Sequence, residues 1–146
     1  MAKQGNVTKE YASFLSRNGW TVVYVCIPNT VHIGVVPIPT INGASKQRYP
    51  DIVAIKDEQL LIVEVEVSLN INVYEDISLR FFEMRASLSN AALFLSWIRM
   101  IKHTTGLDIP EFISIESQLV VINPISDKNI EYKTQLELED ILVVTP

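Results

Sequence analysis

The sequence has little cysteine, no long hydrophobic run and no excess of positive charge. Its one cysteine, Cys26, cannot form a disulfide within the chain, so we expect a protein of a reducing compartment such as the cytoplasm. Cys26 lies in the apolar run 22–27, where core packing is its expected role. No stretch approaches the ~18 consecutive apolar residues that a membrane span needs. A length of 146 residues, of which 48% are hydrophobic, predicts one globular domain.

The negative charge of the chain is concentrated in its last forty residues. The formal net charge is −5; residues 1–106 carry 10 Lys and Arg against 9 Asp and Glu, whereas residues 107–146 carry 2 against 8. A high-affinity basic groove for nucleic acid is therefore not visible, although weaker contacts with phosphate groups are compatible with this composition. The charge balance neither predicts nor excludes DNA binding.

Several common site motifs are missing from the sequence. His32 and His103 have no partners at metal-ligand spacing, and Gly34 and Gly43 stand apart instead of forming a phosphate-binding loop. No nucleophile elbow surrounds a serine. The remaining candidates for chemistry are carboxylates.

The spacing of apolar residues divides the chain into helices and strands. After Asn6, apolar residues recur at helical spacing, at Val7, Tyr11, Phe14 and Leu15, and predict a first helix. After Asn72, they recur at Ile77, Phe81, Met84 and Leu88 and predict a second helix. Asn18-Gly19 and Asn90 are expected to end these two helices. Short apolar segments predict strands over 20–27, 51–56, 60–67, 91–97, 112–115, 118–122 and 141–144. The continuation 98–101 could equally extend a helix, and the spacing of its apolar residues does not decide between the two. Residues 28–50 hold four of the seven prolines and predict a long loop, in which 31–36 is compatible with a short strand.

The segments 51–56 and 60–67 are predicted to form a β-hairpin. Between them lies a polar break, residues 56–59, of the right length for a tight turn. A two-residue loop at Asp57 and Glu58 sets the cross-strand pairs Ile55–Leu60, Val53–Ile62 and Asp51–Glu64. Two acidic side chains then oppose each other across the sheet.

Directly opposed like charges destabilise a sheet unless a cation lies between them. Because hard cations such as Mg²⁺ prefer carboxylate oxygens, the pair Asp51 and Glu64 predicts a metal site. Strand alternation places Leu60, Ile62, Glu64 and Glu66 on one face and Leu61, Val63, Val65 and Val67 on the other. The first face begins apolar and ends acidic, which is expected where a covered sheet opens into a cleft.

This order of elements, with Pro50-Asp51 in one strand and Glu64-Val65-Glu66 in the next, resembles the PD-(D/E)XK or restriction-endonuclease-like nuclease superfamily. The layout is most similar to archaeal Holliday junction resolvases and their nuclease relatives. The resemblance covers about residues 6–97, which form the predicted nuclease core, and leaves a C-terminal extension of about residues 107–146. It implies an α/β fold in which a central mixed β-sheet is flanked by helices in the order α-β-β-β-α-β.

The resemblance also implies a set of catalytic and metal-binding residues. Asp51 and Glu64 match the metal-binding acids, the carbonyl of Val65 matches an additional ligand, and Glu10 matches a first-helix glutamate that many members add to the site. The implied cofactor is Mg²⁺ or Mn²⁺. At the third motif position, most members have lysine, but this chain has Glu66. A glutamate there can accept a proton from the attacking water or support a second ion, and it can also mark a member that has lost activity.

The expected function is that of a metal-dependent endonuclease that hydrolyses phosphodiester bonds of branched or structured DNA. Candidate DNA-contacting residues are Lys46, Arg48, Arg80 and Arg85. A homodimer is expected if two strands are cut symmetrically. Two alternatives remain open: a nuclease fold that no longer cuts and serves as a DNA-binding or assembly subunit, and an unrelated α/β interaction domain with exposed strand glutamates.

Overall fold

The computed structural model describes residues 2–27, 34–39 and 47–146. In chain order, its elements are α1 (Ala2–Arg17), β1 (Thr21–Val25), β2 (Ile52–Lys56), β3 (Gln59–Glu66), α2 (Ile71–Leu88), α3 (Ala91–Thr105), β4 (Ser114–Val121), a 3₁₀ turn (Asp127–Asn129), α4 (Ile130–Leu138) and β5 (Ile141–Val144). The short strand predicted within 31–36 lies partly outside the described residues, and 34–36 are not in a strand. None of the helices in the described part of the chain is both long and apolar enough to cross a membrane.

The five strands form one mixed sheet in the spatial order β1-β2-β3-β4-β5. The pairs β1–β2 and β2–β3 are antiparallel, whereas β3–β4 and β4–β5 are parallel. Parallel neighbours need a long crossover connection, and α2 and α3 provide it between β3 and β4. The predicted order α-β-β-β-α-β is therefore present, with α3 as an additional helix before its last strand.

Side-chain alternation in β3 divides the core between the two faces of the sheet. Leu60 and Ile62 pack into a cluster that includes residues of α2 and α3, namely Ile77, Phe81, Met84, Trp97 and Ile101. Leu61, Val63 and Val65 pack on the opposite face against α1, through Tyr11, Ala12 and Leu15. Glu64 and Glu66, which alternate with Val63 and Val65, therefore belong to the α2 side of the sheet.

The predicted hairpin is present with the predicted register. Ile55 pairs with Leu60 and Val53 pairs with Ile62. The turn is tight because Asp57 adopts a left-handed backbone conformation, with φ of 54°. This register places residue 51, which immediately precedes β2, opposite residue 64 of β3.

Two helices have different beginnings from those predicted. The first helix begins at Ala2, upstream of Asn6, and its residue Phe14 is 46% exposed instead of buried. The N-cap of α2 is Asn70, whose side chain accepts a hydrogen bond from Val73 N at 3.0 Å, and not Asn72. The apolar positions predicted for α2, Ile77, Phe81, Met84 and Leu88, are all buried.

The strand predicted at 91–97 is wrong, because this segment begins α3. Asn90, predicted to end α2, caps α3 by accepting a hydrogen bond from Leu93 N. The buried residues of α3, Phe94, Trp97 and Ile101, follow helical spacing, and Gly106 ends the helix with φ of 79°. A segment of seven residues, six of them apolar, is too short to reveal this period.

The C-terminal segment contributes two strands to the sheet. The predicted strands 112–115 and 118–122 form one continuous strand, β4, which pairs with β3 along its whole length. The predicted strand at 141–144 is present as β5, and helix α4 was not predicted. Residues beyond 106 are thus an integral part of the sheet that carries the acidic pair.

Candidate active site

Asp51 and Glu64 meet at the end of the hairpin. The Oδ2 atom of Asp51 accepts a hydrogen bond from Val65 N at 2.7 Å, which ties the side chain to β3. The Oε1 atom of Glu64 accepts a hydrogen bond from Arg80 Nη2 at 2.9 Å. The Asp51 and Glu64 carboxyl groups lie close enough to affect each other's ionisation. The predicted opposition of the two acids is therefore present in the structure.

Both carboxyl groups resist ionisation. Glu64 is only 3% exposed, and burial, followed by the charge of Asp51, raises its pKa to about 8. Burial also raises the pKa of Asp51 to about 6, against the opposing effects of the Val65 N–H group and of Arg80. The pair is thus expected to keep one shared proton near neutral pH when no cation is bound.

Glu66 extends the acidic cluster toward solvent. It lies two residues after Glu64 on the same face of β3 and is less buried. Its pKa is raised by burial and then by the charges of Asp51 and Asp76. This coupling brings Glu66 into the electrostatic field of the site, where a proton or a cation would be attracted.

Arg80 lies among these acids instead of on the outer surface of α2. It forms the ion pair with Glu64, and 23% of its side chain is exposed. Burial lowers its pKa, but Glu64, Asp76 and Asp51 outweigh this effect and the net shift is upward. The guanidinium therefore stays charged. Sequence reasoning identified Arg80 as a DNA contact and missed its pairing with Glu64.

Both backbone polar groups of Val65 form hydrogen bonds with side chains, and its N–H group donates to Asp51 as described above. Its carbonyl, predicted to be a metal ligand, accepts a hydrogen bond from Gln4 Nε2 at 2.5 Å. Sequence reasoning missed Gln4 because it precedes Asn6, where the first helix was expected to begin. A helix extended upstream by one turn would have revealed it.

The structure does not bring Glu10 to the acidic pair. Its helix α1 packs on the opposite face of the sheet from Glu64, and Glu10 itself is exposed. It lines a groove of about 430 Å³ together with Val7, Tyr11, Phe14, Val144 and Pro146. Across residues 2–27, 34–39 and 47–146, no three His, Cys, Asp or Glu side chains converge closely enough to hold a metal ion. A ligand role for Glu10 stays a prediction.

Cys26, which immediately follows β1, lies beside Asp51. It is buried, as predicted, and its backbone N–H donates to the carbonyl of Asp51 at 2.8 Å. Burial and then the charges of Asp51 and Glu64 raise the pKa of its thiol. Cys26 is therefore close enough to the acidic pair for the charges of both carboxyl groups to affect its thiol.

Lys46 and Arg48, the two basic residues before β2, are predicted to contact DNA, and the structure describes only Arg48. Lys46 lies outside the described residues. Arg48 forms an ion pair with Glu83 of α2, in which Arg48 Nε donates to Glu83 Oε1 at 3.0 Å. This pairing ties the segment before β2 to α2, and a DNA contact by Arg48 stays a prediction.

Arg85 has three acceptors within the protein. Its Nε donates to Ser117 Oγ at 2.8 Å, and its two Nη atoms donate to the carbonyls of Glu139 and Asp140. These contacts join α2 to β4 and to the end of α4. They support a structural role for Arg85. A DNA contact by Arg85 stays a prediction.

A comparison with models of protein families shows the family to which the chain belongs. The family model described as archaeal Holliday junction resolvase (hjc) matches residues 1–142. The chain belongs to this family. The archaeal Holliday junction resolvase family is part of the restriction-endonuclease-like superfamily, so the inferred resemblance and the α/β fold class are confirmed. The match extends beyond residues 6–97, to which the resemblance was limited. A search of curated proteins found no match.

Nucleases of the archaeal Holliday junction resolvase family depend in general on divalent metal ions, and the residues present here fit such an ion. Asp51 and Glu64 offer two neighbouring, desolvated carboxyl groups, a donor set that suits a hard cation. A divalent charge would remove the repulsion that now keeps a proton on the pair. The carbonyl of Val65 accepts one hydrogen bond from Gln4 Nε2 and has a second lone pair that could bind an ion.

Proposed function

We propose that this chain is a metal-dependent endonuclease that hydrolyses phosphodiester bonds of branched DNA, with four-way junctions as the main substrate. Membership of a Holliday junction resolvase family supports DNA as the substrate. The observation that carries the catalytic part is the close approach of the Asp51 carboxyl group to the buried carboxyl group of Glu64 at the end of the hairpin.

In this proposal, Asp51 and Glu64 hold Mg²⁺ or Mn²⁺. The ion would supply Lewis-acid activation of water and neutralise charge on the departing oxygen. Glu66, which is less buried than Glu64, accepts the proton of the attacking water or supports a second ion. The water oxygen forms a bond to phosphorus, one phosphorus–oxygen ester bond breaks, and the departing oxygen takes a proton from solvent.

The partners of the proposed enzyme are DNA and a second copy of the chain. A four-way junction presents two strands for symmetric cutting, which a homodimer with two acidic sites can perform. The cytoplasm, where DNA is accessible and a lone Cys26 stays reduced, is the proposed location. Light scattering of the protein on junction DNA tests the dimer, and one copy per junction would contradict it.

The proposal is tested by incubating the protein with linear, flapped and four-way DNA in Mg²⁺ or Mn²⁺. We expect cutting of the four-way junction in either metal and no cutting in EDTA. Linear duplex of the same sequence is the matched control, and it is expected to be cut more slowly. Failure to cut any of these substrates in either metal would overturn the proposal.

The alternative of a non-cutting DNA-binding or assembly subunit is favoured by one observation. Glu66 occupies the position where most superfamily members have lysine. This alternative predicts that Mn²⁺ leaves the melting temperature unchanged, whereas a working site predicts a clear rise, because a ligand that binds only the folded state stabilises it. Equal melting temperatures in Mn²⁺ and EDTA, combined with tight junction binding, would favour the alternative.

A further inference from the structure

The acidic site contains a single described arginine in direct contact with its carboxylates. Asp51, Glu64, Glu66 and Asp76 all act electrostatically on Arg80 or on one another. Four carboxylates repel a phosphodiester, whose own charge is negative, and one divalent ion offsets only part of their charge. A fixed positive charge at the site, such as that of Arg80, would therefore reduce the repulsion between these carboxylates and the phosphate group when DNA binds.

The position of Arg80 is fixed by the packing of α2. Ile77 and Phe81 flank it in the helix and are both fully buried against the sheet. Because both residues are buried, the orientation of the helix is fixed and Arg80 is directed toward the end of β3. There its Nη2 atom lies 2.9 Å from Glu64 Oε1. Because the ion pair and the helix together hold the side chain, little rotational freedom is left to lose when substrate binds.

Arg80 keeps donors for a second partner. Within the described part of the chain, its hydrogen bond to Glu64 uses one nitrogen, Nη2, of a group that carries five N–H donors. The exposed 23% of its side chain gives access from solvent. A planar guanidinium that is anchored on a carboxylate and open on its other side is well suited to bind a phosphate oxygen.

The strand position normally expected to provide a cation carries the opposite charge here. Glu66 lies on the same face of β3 as Glu64, and that face is covered by α2. Arg80, in α2, therefore places positive charge at the same end of the site where a lysine at position 66 of β3 would place it.

We propose that Arg80 supplies from α2 the positive charge that position 66 lacks, and that it binds a non-bridging oxygen of the phosphate under attack. This inference rests on the proposed nuclease function. In the hydrolysis described above, charge grows on the phosphate oxygens as water adds, and a fixed guanidinium stabilises that charge without transferring a proton. Arg80 would then contact substrate directly, in addition to its contact with Glu64.

The test measures single-turnover cutting of a four-way junction in Mg²⁺ by the Arg80→Met variant. Methionine keeps an unbranched apolar stem and removes the charge. We expect the cutting rate to fall about a hundredfold, as for the loss of one donor to a developing oxyanion. Binding of the uncut junction in Ca²⁺ should change less than about threefold, since phosphate contacts elsewhere are unaffected. Arg99→Met, on an exposed position of α3, is the matched control and should cut like the wild type.

A second variant separates a substrate contact from a structural role. We expect Arg80→Lys to cut at least tenfold faster than Arg80→Met, because a lysine at the same position of α2 keeps the positive charge and leaves Glu66 in place. The rise of melting temperature with Mn²⁺ should be retained in Arg80→Met, because Glu64 loses a competing cation and keeps its metal-binding oxygens. A merely structural Arg80 predicts that Arg80→Met loses this rise together with its folding.

The outcomes distinguish this inference from the proposed function. If the wild type cuts and Arg80→Met cuts equally well, only the role of Arg80 is overturned. The same holds if Arg80→Lys cuts as slowly as Arg80→Met. If the wild type cuts no substrate in any metal, the nuclease function fails and the role of Arg80 falls with it.

Discussion

Replacing Glu64 with glutamine should abolish junction cutting, with a loss on the order of a thousandfold or more in the single-turnover rate. Glutamine has nearly the same shape, and its amide oxygen can still accept the hydrogen bond from Arg80 Nη2. What it removes is a negative charge at the most buried point of the acidic cluster. A hard cation depends on that charge, so ion binding and all chemistry supplied by the ion should be lost together. A thousandfold corresponds to about 4 kcal/mol of transition-state stabilisation.

The measurement needs a control for the loss of one acidic residue near the DNA. Glu75→Gln removes a carboxylate from an exposed position of α2 and should leave the cutting rate within about twofold. The melting temperature of Glu64→Gln should not rise with Mn²⁺, which would show that the lost step is ion binding. Cutting by Glu64→Gln within tenfold of the wild-type rate would mean that the acidic pair is not the catalytic centre.

The hairpin was predictable because its register depends on residues that are neighbours in sequence. A two-residue turn at Asp57 and Glu58 leaves one way to pair the strands that follow, and the alternation of β3 then decides which side chains share a face. Asp51 and Glu64 were therefore placed opposite each other from the sequence. The same local logic predicted the buried face of α2.

The surroundings of the acidic pair were less predictable because they come from distant segments. Gln4 reaches Val65 from a helix turn that lies before the expected start of α1. Arg80 was recognised as basic, but the choice between solvent, DNA and Glu64 depends on the angle at which α2 crosses the sheet. Glu10 has the right chemistry for a ligand, yet α1 covers the opposite face of the sheet. No local pattern contains these relations.

The error at residues 91–97 has a different cause. Apart from Ser96 the segment is apolar, and its length fits either a strand or the first turns of a helix. The deciding signal was Asn90, which was interpreted as the end of α2 although its side chain begins α3. With α3 in place, the strand that completes the sheet has to come from beyond Gly106, where β4 lies against β3.

In EDTA, the wild-type protein should lose stability as the pH rises from 5 to about 8.5. The folded-state pKa values of Asp51 and Glu64, about 6 and about 8, lie above the ordinary values of 3.8 and 4.5. Between these values the folded state holds more protons than the unfolded state, so the free energy of unfolding falls with rising pH. The stabilisation is fully present below the ordinary values and is lost as the pH passes through the raised ones.

The Glu64→Gln variant should remove much of this dependence, since the most strongly shifted group no longer ionises. At pH 8.5 we expect it to be more stable than the wild type by about 1–3 kcal/mol in urea denaturation, with a smaller difference at pH 5. The same substitution that stops catalysis would thus stabilise the metal-free fold, as expected where a site keeps like charges together. Millimolar Mn²⁺ should reverse the slope for the wild type alone, because the ion binds the ionised pair. A wild-type profile that is flat in EDTA, or one that Glu64→Gln reproduces unchanged, would show that Asp51 and Glu64 are not held in repulsive contact.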